Sequence, residues 1–431
     1  MTPDPIRIQA ARALLGVGRG QSLDAALAQA LDRTHAQAGL GRALVYTALR
    51  HAWSGAALAR RLRSTPGRAP RAEIGAVLQI ALAELRYMAT PPHAAVSESV
   101  SAARALDAAS AGFINALLRR YLRERDELEA AITQEPEARF DHPAWLIEHF
   151  REDWPAQLPQ ICAAGNCAAP MWLRVDARSN TRADYAAQLD ALGMQTHAPE
   201  SPAFALRLID PVAVEVLPAF SAGAVSVQDA AAQRVVEALD PRPGQRVLDA
   251  CSAPGGKSAA LTERIAGLDL TAIEREPGRA KRLRETFDRC RVTAKIVIED
   301  AIEVARWWDG RLFDRILIDA PCTGTGVIRR HPDIKHLRRP EDLSAQIRDQ
   351  ARLLDALWPL LAPDGRLTYA TCSILKAENQ QQIASFLRRT PDARGAPIQL
   401  QAQTAPVSSW QNLPGAGDED GFFYASLQRS L

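Results

Sequence analysis

The chain has 431 residues, 47% of them hydrophobic and 24% charged, with a formal net charge of only +2; that length calls for more than one core, since single cores stop growing at roughly 250–300 residues. Six cysteines scattered through it exclude a disulfide-built scaffold. The opening Met1-Thr2-Pro3-Asp4-Pro5 lacks the basic and apolar stretches of a secretory leader, and no apolar run approaches the ~18 residues of a membrane span. A cytoplasmic, monomeric protein with no membrane partner is therefore expected, and the near-neutral charge alone names no partner.

From residue 6 to about 128 the sequence is rich in Ala and Leu, with apolar residues three and four apart, as in Ile74, Val77, Leu78, Ala81, Leu82 and Leu85. That period predicts amphipathic helices. Turn chemistry at Ser64-Thr65-Pro66-Gly67 and Thr90-Pro91-Pro92 divides them. Residues 1–135 hold 17 Arg, no Lys and 12 acidic residues. Arginine grips phosphate through a planar fork, so an RNA-binding face is one reading. Only five Lys occur in the whole chain, so the Arg excess is general and an ordinary solvated surface is the other.

Past Glu135-Pro136 and His142-Pro143 the pattern breaks. Strands are predicted over 171–175 and 213–217 and a helix over 182–192, a small α+β segment. Cys162 and Cys167 are followed by no second pair at ligand spacing, so no metal site is expected.

From Gly244 onward strands and helices alternate as in a parallel sheet covered on both faces. Strands are predicted over 246–250, 270–274, 295–298, 313–319 and 366–371, with helices over 257–265 and 278–289. Residues 422–427 are expected to add an antiparallel edge strand.

The first of these strands runs into Cys251-Ser252-Ala253-Pro254-Gly255-Gly256-Lys257. Paired glycines at a strand-to-helix turn admit a ligand close to the backbone, and the helix N-terminus offers free N–H groups to a carboxylate, which suits the methionine end of S-adenosylmethionine. A phosphate loop would need glycine where Cys251 stands. Glu274, ending the second strand, can accept from both hydroxyls of a ribose, and Asp300, after the third, suits an adenine amino group. Each acid alone could be a solvated strand end; three successive strand ends carrying loop, acid and acid point to a ligand.

The fourth strand ends Ile318-Asp319-Ala320-Pro321-Cys322 and the fifth Tyr369-Ala370-Thr371-Cys372-Ser373. A lone cysteine is usually a small buried hydrophobe. Two on the same rim, beside an acid, suggest methylation at carbon 5 of cytosine. That carbon is too weak a nucleophile until a thiolate adds to carbon 6, and a second group must then assist release. Asp319 is the candidate to stabilise the adduct at N3. A helix predicted from about Ala377 would turn its positive end toward Cys372.

These motifs together resemble the signature of RNA cytosine-5 methyltransferases of the Sun/Nop2 group. The resemblance implies that Cys372 is the nucleophile, that Cys322 aids product release, and that S-adenosylmethionine lies on Cys251, Ser252, Ala253, Pro254, Gly255, Gly256, Lys257, Glu274, Asp300 and Asp319. Ser252 and Glu274 depart mildly from the expected Ala and Asp. Ala111-Gly112-Phe113-Ile114-Asn115-Ala116-Leu117-Leu118-Arg119 is similar to a helix of the NusB-like domain fused to one branch of that family, which implies 16S rRNA as substrate. His142-Pro143-Ala144-Trp145-Leu146, Pro170-Met171-Trp172-Leu173-Arg174-Val175 and Ser226-Val227-Gln228-Asp229 resemble the same branch.

The expected architecture is multidomain: an all-α NusB-like domain over 1–138, a small α+β RNA-recognition segment over 139–222, and an α/β Rossmann-like methyltransferase domain over 223–431. Residues 328–339, with five Arg or Lys, follow the Cys322 loop and are read as a phosphate-holding stretch or a plain solvated loop. Trp307-Trp308 could stack bases or simply pack. Rival readings are a tRNA substrate, a DNA-type enzyme in which the Pro-Cys cysteine attacks, and a noncatalytic ribosome-assembly factor. Intact Cys322, Cys372, Asp319 and glycine loop argue against the last.

Overall fold

The computed structural model describes residues 5–32, 34–63, 70–399 and 407–430. It forms two compact units, Met1–Ala168 with Ile328–Arg339, and Ala169–Val327 with Pro340–Leu431. Residues 139–168 and 328–339 therefore belong with the helices, a different partition from 1–138, 139–222 and 223–431.

Among its described residues the first unit is helical, from Ile6–Gly18 to Leu158–Asn166, with the short helix Ile334–Leu337 in its second piece. The turn expected at Ser64-Thr65-Pro66-Gly67 lies outside the described residues, as do Met1 to Asp4. The break at Thr90-Pro91-Pro92 separates Ala72–Tyr87 from Pro92–Leu106, with Pro92 in the first turn, where a missing N–H leaves no bond unmade. The predicted stripe Ile74, Val77, Leu78, Ala81, Leu82, Leu85 is buried.

Of the two readings of residues 328–339, the plain solvated loop does not hold. Lys335 is 2% exposed, and its Nζ donates to Arg50 O (2.7 Å), Asp141 O (2.7 Å) and Asn166 Oδ1 (2.8 Å). Three acceptors match the three donors of an ammonium, although burial pushes its pKa down to about 7. Asp333 Oδ2 accepts from Leu23 N (2.9 Å), and Arg50 Nη2 donates to the carbonyl of Arg329, itself buried.

The second unit holds two sheets. Met171–Val175 (β1), Thr196–His197 (β2), Ala205–Leu208 (β3) and Val225–Val227 (β4) form an antiparallel sheet in the order β2-β3-β1-β4. The strand expected over 213–217 is absent: Val214–Val216 is one 3-10 turn, and Val216 is 51% exposed. Leu217 is buried in the core of the small sheet with Val214 packed against it, but Pro211 and Pro218 bracket the segment without ladder donors.

The larger sheet comprises Arg246–Ala250 (β5), Asp269–Ile273 (β6), Lys295–Val297 (β7), Phe313–Asp319 (β8), Leu361–Thr371 (β9), Ala393–Gly395 (β10), Ser409–Asn412 (β11) and Phe422–Arg429 (β12). Its order is β10-β12-β9-β8-β5-β6-β7, with β11 also paired to β12. Strands β5 to β9 run parallel, as expected of a Rossmann-like domain. β12 is antiparallel but not the edge, since it lies between β9 and β10. Phe423, Ala425 and Leu427 fill one core and Phe422 and Tyr424 another, the two-sided burial of an inner strand. Trp307 is buried in the first of these cores, with Trp308 packed against it.

Candidate active site

β5 delivers the glycine loop to the rim of the sheet. Cys251 and Gly255 both take left-handed backbone conformations, with φ of 69° and 101°. A Cβ on Gly255 would stand 2.9 Å from Leu283 Cδ1 and 3.0 Å from Phe287 Cε1, so the loop closes over the helix Pro277–Cys290 only with glycine there. Ser252 Oγ donates to Asp249 O (2.7 Å), and Arg174 Nη1, from β1, donates to Gly256 O (2.8 Å). Arg174 also forms a buried ion pair with Glu263 (2.7 Å) on the helix Gly256–Arg264.

A cavity of about 160 Å³ opens beside this loop, walled by Cys251, Glu274, Arg279, Asp300, Pro321 and Gln346 among others. Glu274 is 1% exposed; its Oε1 accepts from Glu276 N (3.0 Å), while Oε2 has no hydrogen-bond donor and lies 3.5 Å from Arg279 Nη1. Asp300 Oδ1 accepts from Ile302 N (3.1 Å). Cys251, Glu274 and Asp300 thus share one cavity. Ser252, Ala253, Pro254, Gly255 and Gly256 form the loop that follows Cys251, but are not among its walls. Lys257 and Asp319 are not either: Lys257 Nζ donates to Asp319 Oδ2 at 2.7 Å and stands 5.0 Å from the centre of the Phe422 ring.

The two expected cysteines meet. Cys322 Sγ and Cys372 Sγ are 3.5 Å apart. Cys322 is held well above the ordinary thiol range by its contact with Cys372, with burial and the nearby charge of Glu378 adding to it. Burial works against the charge of Lys257, but Asp319 and Cys372 beside it outweigh that, and the net shift is upward. An ammonium, a carboxylate and two thiols converge here. The helix expected from Ala377 starts later, at Gln380.

Sequence reasoning missed several residues of this site. Arg279, Gln346 and Gln350 come from elements with no visible motif, and Arg174 stands in a stretch read as similar to the family without a role for that residue. Asp249, at the end of β5, is buried, and burial raises its carboxyl to about 7 against the lowering effect of the Ser258 hydroxyl. Glu378, 0% exposed, follows Cys372 in an aperiodic stretch. Its only signal was an acid at the start of a predicted helix. Among the described residues no group of His, Cys, Asp or Glu is arranged to hold a metal, and no helix is long and apolar enough to cross a membrane.

Three segments match known families: residues 236–428 the family described as 16S rRNA methyltransferase RsmB/F, 142–215 an RsmF/B-like ferredoxin-like domain, and 4–123 the NusB family. The ribosomal RNA small subunit methyltransferase B of Vibrio cholerae is 42% identical over 98% of this chain and 97% of its own length. Two solved structures share the fold. PH0851 has a TM-score of 0.80 at 22% identity, with all of both chains covered. NSun6 from Pyrococcus horikoshii, solved with SFG, has a TM-score of 0.61 at 17% identity over 67% of this chain and 98% of that one.

Proposed function

The chain belongs to the 16S rRNA methyltransferase RsmB/F family, and from that premise we propose that it methylates carbon 5 of a cytosine in 16S rRNA through a covalent bond between Cys372 and carbon 6. The observation that carries this reading is the 3.5 Å approach of two thiols from neighbouring strand ends. A methyltransferase acting on a ring nitrogen or a ribose oxygen needs no sulfur nucleophile, and certainly not two.

S-adenosylmethionine, when bound, supplies the methyl group. The cavity beside the glycine loop fits its nucleoside: Glu274 Oε2, buried without a donor, is an acceptor for ribose hydroxyls, and Asp300 stands at the next strand end. The backbone of Ser252, Ala253, Pro254, Gly255 and Gly256 leads into the helix N-terminus that receives the carboxylate.

Cys372 Sγ adds to carbon 6, and negative charge spreads over N3 and O2 of the ring. The Lys257–Asp319 pair meets that charge: its ammonium offers positive potential and a transferable proton, and its carboxylate orients the ring. This gives Lys257 a substrate-side role in place of the cofactor role expected of it. Cys322 assists release: once carbon 5 carries the methyl group, its proton passes to a base beside the ring, and the electron pair of that C–H bond re-forms the carbon 5–carbon 6 double bond and expels Cys372 as thiolate.

The test is to incubate the full-length protein with a labelled methyl donor and 16S rRNA, then digest the RNA to nucleosides. Label in 5-methylcytidine supports the reading. Label only in another nucleoside, or none with 16S rRNA and strong labelling of tRNA, would sink the corresponding part of it.

A further inference from the structure

We infer that Glu378 is a positioning residue that sets the distance between the two thiols. The inference rests on the reading of Cys322 and Cys372 as the reacting pair. The two cysteines are 50 positions apart in sequence; β8 and β9 pair with Asp319 opposite Ala370, which sets the strand ends side by side, and each cysteine stands in the loop beyond its strand. Glu378 spans the gap. Its Oε1 accepts from Thr323 N (2.9 Å) and Gln350 Nε2 (3.1 Å), and its Oε2 from Thr323 Oγ1 (2.6 Å) and Ser373 Oγ (2.5 Å). Thr323 adjoins Cys322, and Ser373 adjoins Cys372.

Two further bonds hold its surroundings. Gln350 Nε2 also donates to Pro321 O (2.9 Å), gripping the Cys322 loop on its other side, and Tyr369 Oη donates to the Glu378 carbonyl (2.8 Å). Burial disfavours the Glu378 charge while donations from Ser373, Thr323 and Gln350 favour it, with a net upward shift. The side chain hydrogen-bonds to neither sulfur and is not among the walls of the cavity beside the glycine loop, so it acts through the residues it holds.

Glutamine keeps the length of the side chain: its oxygen accepts from both N–H donors, and its amide can donate to the Thr323 and Ser373 hydroxyls once these turn their own protons away, Ser373 Oγ toward Thr325 Oγ1 (3.1 Å). Aspartate is one methylene too short to span both loops. Alanine removes the acceptor common to all four donors, leaving Gln350 Nε2 only Pro321 O. The readout is the rate at which diamide oxidises Cys322 and Cys372 in the full-length protein. The two thiols give two protons and two electrons to the N=N bond, which becomes a hydrazine as the S–S bond forms, and the 322–372 peptide is identified by mass spectrometry. A disulfide demands a narrow range of Cα and Cβ separations, so its rate of formation reports thiol placement.

Glu378→Gln is expected to cross-link and turn over within about threefold of the parent, while Glu378→Asp and Glu378→Ala cross-link roughly tenfold more slowly or worse and lose kcat at least tenfold, with KM for methyl donor and RNA within about threefold. Should Glu378→Ala not fold, Glu378→Asp against Glu378→Gln decides. Parent-like cross-linking in the Asp variant, or a Gln variant slowed as much as Asp, overturns the inference. Cross-linking needs no methyl transfer, so failure of the nucleophile assignment would show separately, as an active Cys372→Ala protein.

Discussion

Asp249 gives the site a pH signature. Its carboxyl, at about 7 in the folded chain through burial, sits near 3.8 when unfolded, so between about pH 4 and 7 the native state holds a proton that the unfolded chain has released. Its contribution therefore favours the fold at low pH and declines as pH rises through 7. Asp249→Asn is expected to flatten the stability profile between pH 5 and 8 by on the order of 2 kcal/mol, measured by urea denaturation of both proteins. A second residue-scale outcome concerns Gly255. At φ 101° with Leu283 and Phe287 against it, Gly255→Ala should cost about 1–3 kcal/mol in the loop, seen by calorimetry as weaker binding of S-adenosylmethionine. Cys322, Cys372, Asp319, Glu274 and Asp300 were legible because each sits at a strand end, where ligands of parallel sheets gather. Glu378 was not, because a side chain recognised only by what it bonds to leaves no spacing or period in the sequence.

At the scale of elements, Arg174 on β1 and Glu263 on the helix after the glycine loop form an ion pair in which both side chains are nearly buried. Losing one partner strands the other, so Arg174→Met should destabilise the second unit by about 3–5 kcal/mol, while Arg174→Met with Glu263→Met recovers most of that. Thermal unfolding of the two variants checks it. Lys335 makes the same kind of statement for the first unit. Lys335→Met removes the donor to three buried acceptors and is expected to cost about 3 kcal/mol, read from the unfolding midpoint of the helical unit. Element reading succeeded where pattern and burial agree: β5 and β8 fall where their apolar runs predict. It failed at 213–217, where a segment between two prolines buries Leu217 from a 3-10 turn instead of a strand, and at β12, whose inner position depends on short strands with no period of their own.

For the whole molecule, the sequence revealed the kinds of domain but not where residues 328–339 pack. Residues 328–339 interrupt the catalytic unit and pack with the helices through bonds such as Lys335 to Asp141 and Leu23 to Asp333, at sequence separations of 194 and 310. Local composition shows only a basic stretch there, because its partners are remote. The RNA cytosine-5 chemistry proposed for the assembled chain is tested most directly by trapping. Cys322→Ala protein, mixed with S-adenosylmethionine and 16S rRNA, should accumulate a protein–RNA complex that survives a denaturing gel, and Cys372→Ala protein should form none. A complex with Cys372→Ala and none with Cys322→Ala would contradict the account by reversing the roles of the two cysteines.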